Sequence, residues 1–188
     1  MTPLVDRALS TGLTGDVRLR DLSEADAAVF AAHVASELAR LREFLPWPDP
    51  TSEPAGAAEW LGRYDRGEGG RKLAAGVWHD GALVGGIVLF FHDEASAQIE
   101  LGCWALSSVE GKGVVRAACV EGLRIARSWG VERVEWHCDP RNTRSGALAA
   151  RLGFRHEGTL RSSYVLRGER LDTAVYGLIG AEIDEAIR

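Results

Sequence analysis

Residues 107–129 read S-S-V-E-G-K-G-V-V-R-A-A-C-V-E-G-L-R-I-A-R-S-W. Ahead of them, Gln98 to Leu106 is a strand-like apolar run, and the turn Gly111-Lys112-Gly113 breaks it. Beyond the turn, Val115, Cys119, Leu123, Ala126 and Trp129 recur at gaps of three and four residues. That spacing marks one face of an amphipathic helix. Strand, glycine turn and helix together present free backbone N–H groups to an anion, with the helix dipole behind them. Taken alone, the stretch predicts a site for an anionic ligand.

Upstream, Lys72–His79 and Leu83–Phe91 are apolar runs joined by Asp80-Gly81, a hairpin signal, and Ala97–Leu106 adds a third strand. Val17–Leu22 alternates as a half-buried strand. Ser23-x-x-Asp26 resembles a capping box for a helix carrying Val29, His33, Val34, Leu38 and Leu41. The prolines of F-L-P-W-P-D-P, Phe44 to Pro50, end it. Ser52–Asp65 predicts a second helix with Ala57, Trp60, Leu61 and Tyr64 on one face, broken by Gly67, Gly69 and Gly70.

Downstream, Val131–Cys138 alternates as a strand and Asp139-Pro140-Arg141-Asn142 turns the chain. Ser145–Leu152 predicts a short helix closed by Gly153. Phe154 onward alternates, turns at Arg167-Gly168-Glu169 and returns as Arg170–Ile179. Residues 1–15 show little periodicity and are expected to be a loose arm; residues 16–188 are expected to form a single domain. The order β-α-α-β-β-β-α-β-α-β-β predicts an α/β sandwich: a mixed sheet with helices on it.

At 188 residues the chain suffices for one well-buried domain and is short for two. A formal net charge of −5 and a pI near 5.6 argue against a dedicated nucleic-acid binder, which needs clustered Lys and Arg. Cys103, Cys119 and Cys138 each sit in an apolar run without a C-x-x-C motif, as small buried hydrophobes of a reducing compartment do. No signal pattern opens the chain and no apolar run approaches a membrane span, so the expected location is cytoplasmic, with no membrane partner. His33, His79, His92, His137 and His156 are scattered without metal-ligand spacing, and no metal is expected. No Ser or Thr follows Lys112 and the P-loop frame is absent, so a nucleotide-hydrolase reading fails. A dinucleotide-binding fold fails because the glycine turn falls in mid-chain.

Four motifs then carry a resemblance. I-E-L-G-C-W (Ile99–Trp104), the glycine turn, D-P-R-N-T-R-S (Asp139–Ser145) and R-L-G-F-R-H-E-G-T-L-R (Arg151–Arg161) stand in order. The chain resembles the GNAT N-acyltransferases, and more closely their RimJ/RimL branch, which acetylates N-termini of ribosomal proteins. The resemblance runs from Val17 to about Ile179. It implies the GNAT fold, with a mostly antiparallel seven-stranded sheet flanked by helices, and acetyl-CoA as co-substrate. The family's signature Q/R-x-x-G-x-G/A matches Glu110 to Val115, with Glu110 in place of Gln or Arg and Val115 in place of a small residue. An acid beside a pyrophosphate would repel it, so Glu110 is expected to point away or to contact the protein.

The resemblance assigns the pyrophosphate to backbone N–H groups of Gly111, Lys112, Gly113, Val114 and Val115. It assigns the thioester carbonyl to main-chain N–H around Ala105 and Leu106, where neighbouring strands splay and the pantetheine lies between them. Asn142 corresponds to the family's pantetheine-binding asparagine and Ser145 to the hydroxyl facing the CoA sulfur, a proton donor to the thiolate; either could also cap the short helix. Glu100 or ordered water is the candidate base. Tyr164 and Asp172 are further candidates for orienting the amine, and Trp47 either covers the acceptor or clamps the core. The implied reaction is direct acyl transfer to a primary amine, such as a protein N-terminus. Alternatives are a small-molecule, antibiotic or aminoacyl-nucleotide acceptor, a succinyl-CoA donor, or a non-catalytic acyl-CoA-binding module. The resemblance admits a homodimer, which the sequence itself does not show.

Overall fold

The computed structural model describes residues 6–66, 71–93 and 95–188, so the Gly67, Gly69 and Gly70 helix stop lies outside the described residues. Eight strands form one sheet: β1 (Asp6–Ala8), β2 (Val17–Asp21), β3 (Lys72–His79), β4 (Ala82–Asp93), β5 (Gln98–Ala105), β6 (Arg133–Cys138), β7 (Arg155–Leu166) and β8 (Glu169–Ile179). The helices are α1 (Ala27–Ser36), α2 (Leu38–Leu41), α3 (Pro48–Thr51), α4 (Pro54–Asp65), α5 (Val114–Ser128), α6 (Thr143–Arg151) and α7 (Ala181–Ala186). The sheet order is β1-β2-β3-β4-β5-β6-β8-β7. Among the described residues only β5 and β6 run parallel; the other neighbours are antiparallel.

The expected α/β sandwich is present, with eight strands in place of seven. The added strand is β1, from the stretch expected to be a loose arm. It pairs Asp6 with Arg20 and Ala8 with Arg18. Three exposed residues are too few to show a period of two, and they add by backbone pairing to the open edge of β2. Gly12 donates its N–H to the Lys112 carbonyl at 2.7 Å, so this segment also touches the glycine turn. A second departure lies in the proline loop. Pro48 sits at the first position of α3, where its missing N–H costs nothing, so the loop holds one helical turn.

Helices cover both faces. On one, α5, α6 and α7 supply Ala118, Cys119, Leu123, Ala149 and Ile183 to a core that includes Ile87, Leu101, Val134 and Trp136. On the other, α1 and α4 supply Phe30, Val34, Trp60 and Leu61 against Ala74, Leu83 and Trp104. Strand alternation divides β5 between the two: Ile99 and Leu101 enter the first core, Trp104 the second. The Asp80-Gly81 turn has φ of +46° and +83°, as the hairpin signal requires.

Candidate active site

The β5–β6 pair is the point where the sheet opens. It is in register only at Gln98–Arg133, Ile99–Val134 and Glu100–Glu135, while β5 continues to Ala105 and β6 to Cys138 without partnering each other. A cavity of about 540 Å³ occupies this opening. Its lining comes from both faces: Glu100, Trp104 and Trp47 from the α1–α4 side, Trp136, Asn142 and Ser145 from the α6 side. Tyr164 and Asp172 of the β7–β8 hairpin also line it. The fold thus gathers Trp47, Glu100, Asn142, Ser145, Tyr164 and Asp172 around one space; Ala105, Leu106 and the glycine turn lie further along.

At the end of β5, the Leu106 N–H donates to the Val84 carbonyl at 2.8 Å. Antiparallel alternation then turns the N–H groups of Cys103 and Ala105 toward the opening. Of the two donors that the resemblance named, Ala105 faces the gap and Leu106 is committed to β4. At the glycine turn, Gly111 and Gly113 have φ of +72° and +73°, a region that glycine alone enters without steric cost. Gly113 caps α5, whose first N–H groups, those of Val114, Val115 and Arg116, have no acceptor within the helix. The Lys112 N–H reaches the Val109 carbonyl at 3.3 Å. Val115 packs on the core, so its bulk is turned away from the exposed backbone.

Glu110 contacts the protein, as repulsion from an anion predicts. Its carboxylate meets Arg40 Nη1 at 2.9 Å and Arg144 Nη1 at 3.0 Å. Arg40 also donates to the Ala105 carbonyl and, at 2.6 Å, to Glu37. Glu37 accepts from the Ser107 N–H at 2.9 Å and from the Ser107 hydroxyl. Burial would raise the Glu37 pKa, but the Ser107 and Arg40 hydrogen bonds outweigh it and hold the carboxyl at about 2. A depressed carboxylate stabilises the fold above its ordinary value near 4.5, and that contribution is lost as pH falls through the folded value. The stability gap between wild type and Glu37→Gln should therefore be constant from neutral pH to about 4.5 and close toward pH 2 in urea titrations. A gap independent of pH would refute the assignment.

On α6, Asn142 Oδ1 accepts the Ser145 N–H at 3.1 Å, so Asn142 is the helix cap and Ser145 is not. Ser145 Oγ accepts the Trp136 indole N–H at 2.9 Å. Indole can only donate, so this contact leaves the Ser145 hydrogen for another acceptor, the Cys138 sulfur being one within reach. Burial pushes the neighbouring Cys138 thiol up, with a hydrogen bond from Ser145 working against it. Trp136 is a site residue that sequence reasoning missed; its alternation within β6 showed it only as core.

On the opposite wall, Glu100 Oε2 lies 3.0 Å from His137 Nδ1 and 3.1 Å from His92 Nε2. The hydrogen bond to Glu100 leads in raising the His137 pKa, against burial. Asp172 Oδ1 accepts the Ser162 N–H at 2.9 Å and so supports a bulge in β7, where Ser162 has φ +50° and pairing skips from Leu160 to Tyr164. The bulge aims Tyr164 at the cavity, and burial raises its pKa. Trp47 stacks on Phe30 at 5.8 Å and meets Trp104 edge-on at 5.5 Å, so it is both cavity wall and part of the core. His92 and His137 are far apart in the chain yet adjacent in space, their rings 5.7 Å apart.

Comparison with known proteins bears on this geometry. The family model described as "Acetyltransferase (GNAT) domain" matches residues 16–155. The chain belongs to the GNAT acetyltransferase family. "Putative ribosomal N-acetyltransferase YdaF" of Bacillus subtilis (strain 168) is 32% identical over 111 residues, which span 58% of this GNAT chain and 61% of that relative. The chain thus matches under two thirds of that relative's length. Mycobacterium smegmatis RimJ in complex with CoA-disulfide superposes with a TM-score of 0.83 at 25% identity, covering 94% of this chain and 88% of RimJ. RimL, a ribosomal L7/L12 alpha-N-protein acetyltransferase solved with coenzyme A, shares the fold: TM-score 0.79, 20% identity, 92% of this chain and 98% of RimL. The likeness to the RimJ/RimL branch expected from the motifs is therefore borne out. Among the described residues, no helix is long and apolar enough to cross a membrane.

Proposed function

We propose that this GNAT chain is an acetyl-CoA-dependent N-acetyltransferase, residues 16–188 acting as one domain, whose acceptor is the α-amino group of a protein N-terminus. The observation that carries the reading is the cavity through the β5–β6 opening, with Ser145 and Asn142 on one side and Glu100, Tyr164 and Asp172 on the other. RimJ and RimL, similar in fold, were solved with CoA bound. The residues fit that group: a left-handed glycine turn and unpaired helix N–H groups suit a pyrophosphate, and the strand opening suits an extended arm.

Acetyl-CoA supplies an acetyl group activated as a thioester. The Ala105 N–H, facing the opening, stabilises negative charge on the acyl oxygen. Asn142 orients the pantetheine arm while its Oδ1 caps α6. Ser145 donates its hydroxyl hydrogen to the departing sulfur and regains one through water from the proton that the amine loses, while the Trp136 indole fixes the hydroxyl from behind. Glu100, or water held by it, takes the proton from the amine, which Tyr164 and Asp172 orient; Trp47 closes the acceptor side. An α-amino group, with a reference pKa near 8, is already partly neutral at pH 7, so a weak base suffices.

The acceptor class is tested by thiol release with acetyl-CoA across N-terminal peptides, lysine, aminoglycosides and aminoacyl nucleotides. Peptides should give the highest kcat/KM; preference for a small amine would overturn the acceptor assignment. Glu100→Gln should lower kcat by at least about 10-fold with acetyl-CoA affinity retained. An unchanged rate would leave water as the sole proton acceptor.

A further inference from the structure

Glu100 and His137 of the acceptor cavity wall belong to a cluster whose other members, His92 and Glu135, acetyl transfer does not use. Parallel pairing of β5 and β6 sets Glu100 beside Glu135, and two residues later on the same face of β6 stands His137. His92, from β4, reaches over from the other side. His137 Nε2 is 3.0 Å and His92 Nε2 3.9 Å from Glu135 Oε2. These three donor atoms all lie within 4.8 Å of one another. Donors around a tetrahedral ion at about 2.0–2.2 Å stand roughly 3.3–3.5 Å apart, so the three need only small rotations to share one.

The surroundings serve the same end. Arg133 donates twice to Glu135 Oε1, at 2.9 and 2.7 Å, which leaves Oε2 for the imidazoles. Arg133 is itself held by Glu157 at 2.5 Å. Glu100 receives the other ring nitrogen, Nδ1, of His137 at 3.0 Å. A carboxylate on the distal nitrogen of a histidine is the arrangement that orients imidazole ligands and raises their basicity. His92 Nε2 also meets Glu100 Oε2 at 3.1 Å, a contact that ion binding would exchange for the metal. His92 is exposed while Glu135 and His137 are half-buried, so an ion has an entry path.

We infer that His92, Glu135 and His137 form a binding site for a divalent transition ion of the zinc class, with Glu100 as the carboxylate that orients His137. The donor set of two imidazoles and one carboxylate selects such ions over magnesium or calcium, which require oxygen ligands. Three protein ligands leave a position for water. His137 and Glu100 both line the acceptor cavity, so the ion would sit at its wall. The site is independent of the acetyltransferase reading, since ion binding is measured without turnover.

The metal-free full-length chain is titrated with zinc sulfate by calorimetry. One ion per chain is expected, with His92→Ala weakening binding at least about 100-fold and Glu100→Gln weakening it about 10–100-fold. His92 is exposed, so its substitution should spare the fold; Glu135→Gln is the second ligand variant. Cobalt(II) should give visible d–d absorption without a thiolate charge-transfer band, and magnesium should not compete. Equal zinc binding by wild type and His92→Ala, no binding at about 100 µM, or a thiolate band placing the ion on a cysteine would each overturn the site.

Discussion

Replacing Ser145 with alanine is expected to lower kcat by about 100-fold or more while acetyl-CoA affinity changes little. The hydroxyl lies at the opening of the sheet, and its oxygen is already occupied by the Trp136 indole at 2.9 Å. That contact leaves the hydroxyl as a donor, which is what a departing thiolate needs. Its backbone N–H, not its side chain, completes the α6 cap, so alanine preserves the Asn142 cap and the helix. The loss should therefore appear in kcat rather than in stability. Circular dichroism and calorimetry with acetyl-CoA check the second half of the statement; an undiminished kcat would remove Ser145 from the proton path.

Trp104→Ala is expected to cost about 3–5 kcal/mol of stability. The indole is 5% exposed and meets Phe30 at 5.8 Å, Trp47 at 5.5 Å and Trp60 at 6.4 Å, each edge-on. Its N–H donates to His33 Nε2 at 3.1 Å, and His33 Nδ1 faces the Leu83 carbonyl at 3.0 Å. Burial holds the His33 pKa below its usual value, consistent with a neutral ring whose Nδ1 carries the hydrogen. Alanine opens a cavity under α1 and α4 and strands that ring nitrogen in the core. With a urea slope of about 2–3 kcal/mol/M, the midpoint should fall by about 1–2 M. A shift below about 0.3 M would mean that this aromatic cluster is not what joins α1 and α4 to the sheet. The same change removes part of the acceptor wall, so the acceptor KM should rise with the loss of stability.

The elements with strong periodicity were legible in the sequence. Lys72–His79 and the Asp80-Gly81 hairpin were readable because turn chemistry and apolar runs agree locally. The α5 face was readable to within a residue: the helix buries Val114 and leaves Val115 half-buried, because the left-handed Gly113 cap sets the start of the turn. β1 and α3 were not legible, since three and four residues carry no period and their formation depends on a neighbouring edge or a proline's position. Of the site, the gathering of His92 with His137 is a product of strand register, whereas Glu110's partners on α2 and α6 and the Trp136–Ser145 contact come from how helices pack on the sheet. Spacing along the chain cannot show that β4, β5 and β6 bring residues 92, 100, 135 and 137 together. The commitment of Leu106 to Val84 is equally a matter of which way a strand's N–H points, which depends on pairing parity.

The most direct test of amine-directed acetyl transfer is product analysis of one reaction: the full-length chain, acetyl-CoA and a peptide with a free α-amino group, followed by mass spectrometry and thiol titration. The predicted result is one acetyl group on the peptide α-amine for each CoA thiol released, with no acetyl group left on the chain. Thiol release without an acetylated amine, or no release above the enzyme-free rate with any amine, would contradict it.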